Sequence, residues 1–235
     1  MRAKRCYLKP LPGVVPAKLP GLLLVIEGPD SSGRSTHIGL LAQWLEERGH
    51  AVAQAGLKRS ELVGLELEQA KAGNVLSPRT MSLFYATDFY DQLENRIVPA
   101  LRAGTVVLAD RYFFTLMARD IVRGGDRSWL ESLYGMAIVP DAVYSFIVSS
   151  RTLVQRTLHS HALMDYWESG MDLGLSRDWF DSFLAYQRRM RVEFHRMKEK
   201  YGFEEINANR SIRAIQADLR ARVQTVLDTR LAGMK

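Results

Sequence analysis

The sequence predicts an α/β fold, a doubly wound parallel sheet flanked by helices, and three observations lead there. The stretches "GLLLVIEG" (21–28), "TVVLAD" (105–110) and "DAVYSFIV" (141–148) are continuous apolar runs, as strands buried on both faces of a parallel sheet must be. Segments of helical period alternate with them, which implies right-handed crossovers and helices on both faces. Directly after the first run comes "EGPDSSGRSTH" (27–37), with the spacing Gly28-x-x-x-x-Gly33-x-Ser35. Such sheets bind ligands at the carboxyl ends of their strands, where this loop falls.

In chain order, residues 1–20 carry prolines at 10, 12, 16 and 20 and read as an extended arm or flexible tail. A single domain over 21–235 follows, a length that suits one core. After the first strand a helix is predicted from about Ser35 to Arg48, with Ile38, Leu41 and Leu45 on one face and Gly49 as its stop. "AVAQAG" (51–56) is a weaker strand. Ser60 caps a short helix that ends at Gly73. Ser77 and Pro78 open the longest helix, 77–104, which Pro99 kinks or robs of its last turn. Past the strands at 105–110 and 141–148, a helix runs through Leu153 and Leu158. Residues 176–200 form another, 203–208 a last strand, and Ile212, Ile215, Leu219 and Val223 mark the final helix.

Composition narrows the function classes. The chain has 235 residues, 47% of them apolar and 25% charged, and a formal net charge of +6. Arg2, Lys4, Arg5, Lys9 and Lys18 supply most of that excess from an arm without a single acid, so the body is nearly neutral. A nucleic-acid partner is therefore not expected of the body, and binding through the arm is a separate hypothesis. The arm lacks the continuous apolar core of a secretory signal, and its prolines and lack of serine oppose a transit peptide. Nothing approaches the roughly eighteen uninterrupted apolar residues of a membrane span. Cys6 stands alone, which excludes an intramolecular disulfide framework and a cysteine metal site; a cytoplasmic location is the default.

The chemistry is expected in two places. Glycines at 28 and 33 permit backbone angles that turn the N–H groups of Ser31, Ser32, Gly33, Arg34, Ser35 and Thr36 toward one point, at the positive end of a helix dipole. That cradle suits the phosphates of ATP. Ser35 would place its hydroxyl on Mg²⁺, and residue 34 would reach the β- and γ-phosphates. Lysine is the pattern residue at that position, and arginine keeps its charge with a wider, planar head. The second place is the end of "VVLADR": Asp110 is a further candidate for Mg²⁺, and Arg111 can clamp an anionic substrate bidentately. His159 and His161 read as helix-end residues, and Arg188, Arg189 and Arg191 as one solvated helix face. Phe84, Tyr85, Phe89 and Tyr90 fit either core or a base-stacking pocket.

With the glycine loop, "ADRY" and the closing "INANRSIRAIQADLRARV", the chain resembles the thymidylate kinase family from about Leu22 to Leu227. The resemblance implies a P-loop nucleoside-monophosphate kinase that uses ATP and Mg²⁺, commonly as a homodimer. It puts Asp30 near the acceptor sugar and Arg111 on the acceptor phosphate. "LFYATD" (83–88) looks like the helix that lines the acceptor site, which brings in Tyr85 and Phe89. Thr115 stands where the family tends to have serine, and Arg156 matches a family arginine next to a mobile lid near 157–175. The catalytic set implied is then Arg34, Asp110, Arg111 and Arg156.

Departures fall on the acceptor side. Phe89 replaces an arginine, "ARD" (118–120) replaces alanine-tyrosine-glutamine, and Tyr166 occupies a lid position where arginine is common. Phosphorylation of dTMP to dTDP is the expected activity. The alternative is a thymidylate-kinase-like nucleotide-binding protein with altered acceptor specificity or little turnover.

Overall fold

A computed structural model describes residues 3–73, 76–159 and 166–232. Five strands form one parallel sheet: β1 (Leu22–Glu27), β2 (Val52–Gly56), β3 (Val106–Asp110), β4 (Ala142–Ile147) and β5 (Glu204–Asn207), in the order β2-β3-β1-β4-β5. Every residue of β1 is buried, because helices cover both faces of this central strand. Leu23, Leu24, Val25 and Ile26 are wholly inaccessible, and each contributes on the order of 1.5–3 kcal/mol of burial.

Register levels the strand ends. Ile26 of β1 and Gly56 of β2 both pair with Asp110 of β3, so these three come out level at one edge and Glu27 follows one residue beyond. Gly56 has no alternative there, since a Cβ would lie 2.9 Å from the Asp110 carbonyl oxygen.

One layer of helices comprises α1 (Arg34–Glu46) and α9 (Ile212–Ala232), with Ile38, Leu41 and Leu45 packed among Ile215, Leu219 and Val223. The opposite core gathers α3 (Pro78–Gln92), α5 (Phe113–Val122) and α8 (Trp179–Tyr201), and α2 (Gly64–Gly73) packs beside α3. The predicted 77–104 helix is broken: α3 passes into a wider turn over Leu93–Ile97 and then the short α4 (Val98–Arg102). Pro99 has no N–H to continue the regular ladder, so the interruption follows from chemistry. The helix α7 (Ser150–His159) follows β4.

Two findings differ from expectation. α5 and α6 (Arg127–Leu133) occupy the stretch between β3 and β4, where no element is predicted from the sequence. Phe113, Leu116 and Met117 form α5's buried stripe, and Asp126 caps α6 by accepting from the Trp129 N–H at 2.7 Å. The arm, expected to be extended or flexible, is packed. Leu11 and Leu19 are buried, Lys4 bonds to Asp141, and Tyr7 and Leu8 donate backbone N–H groups to the Ala137 and Gly135 carbonyls. Tyr7, Leu11, Val14 and Leu19 pack on the core cluster while Leu8 and Val15 stay exposed, and the prolines do not prevent this packing. Among the described residues no helix is long and apolar enough to cross a membrane.

Candidate active site

The loop after β1 passes three times through conformations rarely adopted by L side chains: φ is +152° at Gly28, +59° at Ser31 and +89° at Gly33. A side chain at Gly28 would also press on Phe146, with Cβ atoms 3.0 Å apart. Gly33 is the N-cap of α1, no side chain caps it, and no acid lies in the first turn. The first intrahelical bond comes from His37 to the Gly33 carbonyl, so the N–H groups before it face outward at the positive end of the helix. Ser35 and Thr36 are exposed there, beside the buried Ser32. This is an anion cradle built by backbone.

Arg34 turns inward. Its Nε donates to Asp110 Oδ1 at 2.8 Å, and its Nη1 donates to the Gly28 and Pro29 carbonyls. Only 8% of the residue is exposed. A head predicted to reach the phosphates is thus committed to the loop that would hold them. Planarity explains it, because a guanidinium holds separate nitrogens in a fixed fork, Nε on the carboxylate and Nη1 on the two carbonyls, where an ammonium is a single point. Ser35 Oγ donates to the other Asp110 oxygen across 2.9 Å.

That pair fits Mg²⁺. Adjacent ligands of an octahedral ion at ~2.0–2.1 Å lie about 2.9 Å apart, and both atoms here are hard oxygen donors. Among the described residues no group of three or more His, Cys, Asp or Glu side chains could hold a metal, so the remaining ligands would come from nucleotide phosphates and water.

Asp30 is the hub of the site. Arg111 Nη2 donates to it at 2.5 Å, Arg119 Nη2 at 3.4 Å, and Arg34 Nη2 lies 3.9 Å away. Burial opposes its charge, but Arg111, Arg119 and Arg34 together hold its carboxyl well below the usual carboxylate range. Asp110 is held down against burial by Arg34 and Ser35. Arg111 has φ of +68°, an uncommon state for a residue with a side chain, fixed by its N–H donating to the Ile26 carbonyl at 3.0 Å. Its Nε is buried without a partner. Asp30, Asp110 and Glu168 balance the three guanidiniums, and the Arg111 Nε is the donor left unused.

Beneath it, Glu27 is inaccessible and accepts from the Tyr112 N–H at 2.8 Å and the Thr115 hydroxyl at 2.6 Å. Burial outweighs these bonds and pushes its carboxyl up to about 7. Thr115, expected on the acceptor side, is buried with its hydroxyl on Glu27. Phe89 calls for a correction: it lies in the core at 4% exposure, its ring edge-on to Tyr112 at 5.0 Å and Tyr134 at 5.5 Å. The face of α3 that carries it looks toward the sheet, where an aromatic side chain buries most area. Asp88 is also turned in, accepting from the Lys58 and Ser60 N–H groups and shaping the loop after β2.

Tyr85 does reach a cavity. About 220 Å³ opens between α3 and α5, with Met81, Tyr85, Leu116 and Arg119 among its lining and Trp167 and Leu173 across it. Trp167 Nε1 donates to the Lys71 carbonyl at 3.1 Å, which ties that wall to α2. A larger groove of about 500 Å³ runs from Asp30 and Arg111 along α8, past the exposed Arg188 and Arg191. Arg119 lines both spaces. Neither Arg119 nor Glu27 was singled out from the sequence as a site residue. Arg119 lies on α5 and Arg111 before it, in a left-handed turn, so no helical spacing relates the two in the sequence.

Arg156 joins the loop from the other side, donating to the Ser32 carbonyl at 3.0 Å and the Ala208 carbonyl at 2.9 Å. Thr157 meets Ser31 hydroxyl to hydroxyl at 3.1 Å. Of the expected lid, residues 160–165 with His161 and Asp165 lie outside the described residues, as does the side chain of His159.

A family model described as thymidylate kinase matches residues 26–219. The probable thymidylate kinase 2 of Saccharolobus solfataricus is 34% identical over 212 residues, 90% of this chain and 99% of that one. The probable thymidylate kinase of Thermococcus kodakarensis is 28% identical over 216 residues, 88% and 98% of the two chains. The thymidylate kinase of Clavibacter sepedonicus is 37% identical over 101 residues, 42% and 47%.

Proposed function

The chain belongs to the thymidylate kinase family, and from that membership we infer that it moves the terminal phosphoryl group of ATP onto the phosphate of dTMP, giving dTDP. The observation that carries this reading is the convergence of Arg34, Arg111 and Arg119 on Asp30, beside an uncapped helix N-terminus. Transfer between two phosphates needs positive groups on both sides of the moving one.

ATP phosphates lie on the N–H groups of the 31–36 loop, apart from that of Ser32, which donates to the Pro29 carbonyl at 3.3 Å. Arg111 offers its unused Nε to the acceptor phosphate, with Arg119 behind it, and Asp30 keeps both arginines aimed. The acceptor nucleoside enters the cavity between α3 and α5, because Arg119 links that cavity to the phosphate cluster and Tyr85 supplies an aromatic wall. Ser35 and Asp110 hold Mg²⁺, which when bound neutralises charge on the transferred group. Arg34 is a positioning residue, fixing the loop carbonyls and Asp110. Arg156 braces the loop through Ser32. No general base is required, since the acceptor phosphate is already anionic.

The family's habit suggests a homodimer in the cytoplasm. Exposed Leu62 and Leu65 near α2 and Leu83 on α3 are the apolar surface a second copy would cover. Incubation with ATP, Mg²⁺ and dTMP should yield dTDP and ADP in equal amounts, neither without Mg²⁺. ADP formed without dTDP would refute the transfer.

A further inference from the structure

The cavity between α3 and α5 contains several polar side chains, and they differ in what they have left to offer. Arg123 is fully used: its five N–H donors go to Asp172 at 2.7 and 3.0 Å, the Trp167 carbonyl at 2.7 Å, the Tyr186 hydroxyl at 3.0 Å and the Arg119 carbonyl at 3.2 Å. Asp172 spends both oxygens on Arg123. Arg119 is drawn to Asp30 at 3.4 Å and Glu168 at 3.5 Å. Asp120 is different. Ser82 is the hydroxyl beside its carboxyl, and that hydroxyl donates to the Pro78 carbonyl at 2.9 Å. Its carboxyl keeps free capacity toward the cavity it lines.

The groups around it are Arg119 and Arg123 on its own helix, Ser82 and Tyr85 from α3, Tyr134 after α6, Lys71 from α2 and Asp172 across the cavity. Burial outweighs the two arginines and pushes the Asp120 carboxyl up to about 6. A base filling the cavity would remove more water and push it higher.

Resting on the reading of this protein as a dTMP kinase, we propose that Asp120 reads the thymine edge as a neutral carboxylic acid. Its O–H donates to O4 and its carbonyl oxygen accepts from N3–H. A protonated carboxyl presents one donor and one acceptor side by side, matching that edge, whereas a carboxylate would set a lone pair against O4. The side chains expected on the acceptor side are committed elsewhere, Phe89 to the core and Thr115 to Glu27. The acceptor is therefore taken up together with a proton from solvent.

Calorimetric titration with dTMP at pH 7.5, in two buffers of different ionisation enthalpy, measures that proton. Asp120→Asn supplies the baseline for protons exchanged by the nucleotide phosphate, because an amide offers the same donor and acceptor without titrating. Uptake approaching one proton above this baseline is expected, with dTMP affinity of the parent falling relative to that of Asp120→Asn from pH 6 to pH 8, and the Asn variant the tighter binder at pH 8. Asp120→Ala should bind dTMP roughly tenfold or more weakly at both pH values. Equal proton exchange in parent and Asp120→Asn, or an Asn variant as weak as Ala, overturns the role of Asp120 while dTMP phosphorylation stands. Failure of the parent to bind dTMP, with ATP binding intact, overturns both.

Discussion

Arg34 Nε donates to Asp110 Oδ1 across 2.8 Å, so the residue at the loop's lysine position holds a strand end instead of pointing into the cleft. Arg34→Ala would strand Asp110 and the Gly28 and Pro29 carbonyls, at a cost of roughly 3–5 kcal/mol of stability. Arg34→Lys keeps the charge but not the fork. We expect it to lose about 1–2 kcal/mol by denaturant unfolding while turnover stays at or above that of the parent, since an unforked ammonium is free to meet phosphate. Turnover that falls tenfold without loss of stability would make Arg34 a phosphate contact.

The unpartnered Nε of Arg111 predicts a selective defect. Arg111→Lys should lower kcat/KM for dTMP by roughly 10²–10³-fold, with ATP affinity little changed, because a point charge cannot replace a buried bidentate donor. Equal losses toward both nucleotides would show a structural effect instead.

Ser35 and Asp110 make a metal prediction. Ser35→Ala removes one oxygen donor and should raise the Mg²⁺ concentration for half-maximal rate about tenfold, leaving the rate at saturating Mg²⁺ closer to that of the parent. An unchanged Mg²⁺ requirement would remove Ser35 from the metal site.

Glu27 predicts how stability changes with pH. Its folded pKa of about 7 lies above the ordinary 4.5, so the folded chain holds a proton that the unfolded chain has released. That contribution is complete below about pH 4.5 and is lost as pH rises through about 7, worth a few kcal/mol at ~1.4 kcal/mol per pH unit. Glu27→Gln does not ionise. The parent should lose stability relative to Glu27→Gln between pH 5 and pH 8; a constant difference would mean that Glu27 stays charged.

Much of this fold is legible in the sequence because its signals are local. The buried strands are apolar runs, the loop is a glycine spacing next to one of them, and Pro99 interrupts its helix by its own chemistry. What escapes depends on contacts between distant segments. Arg34 meets Asp110 from 76 positions away and Asp30 meets Arg119 from 89, so neither direction can be read from spacing. Phe89 has the same helical period whether it faces core or cleft, and only the sheet behind it decides. The arm's prolines describe an extended chain but do not show what it lies on. α5 carries a legible signal in Phe113, Leu116 and Met117, which share one helical face directly after the charged pair Asp110–Arg111.

Acceptor-dependent phosphoryl transfer with thymine preferred is what the arginine cluster and the α3–α5 cavity lead to. Steady-state ADP release with ATP and Mg²⁺, measured across dTMP, dUMP, UMP, CMP, AMP and GMP, tests it most directly. We predict that kcat/KM is highest for dTMP, with dUMP next and the purine nucleotides at least roughly a hundredfold below. Measurable ATP binding with no acceptor-stimulated ADP release, or a purine preferred over dTMP, would contradict it.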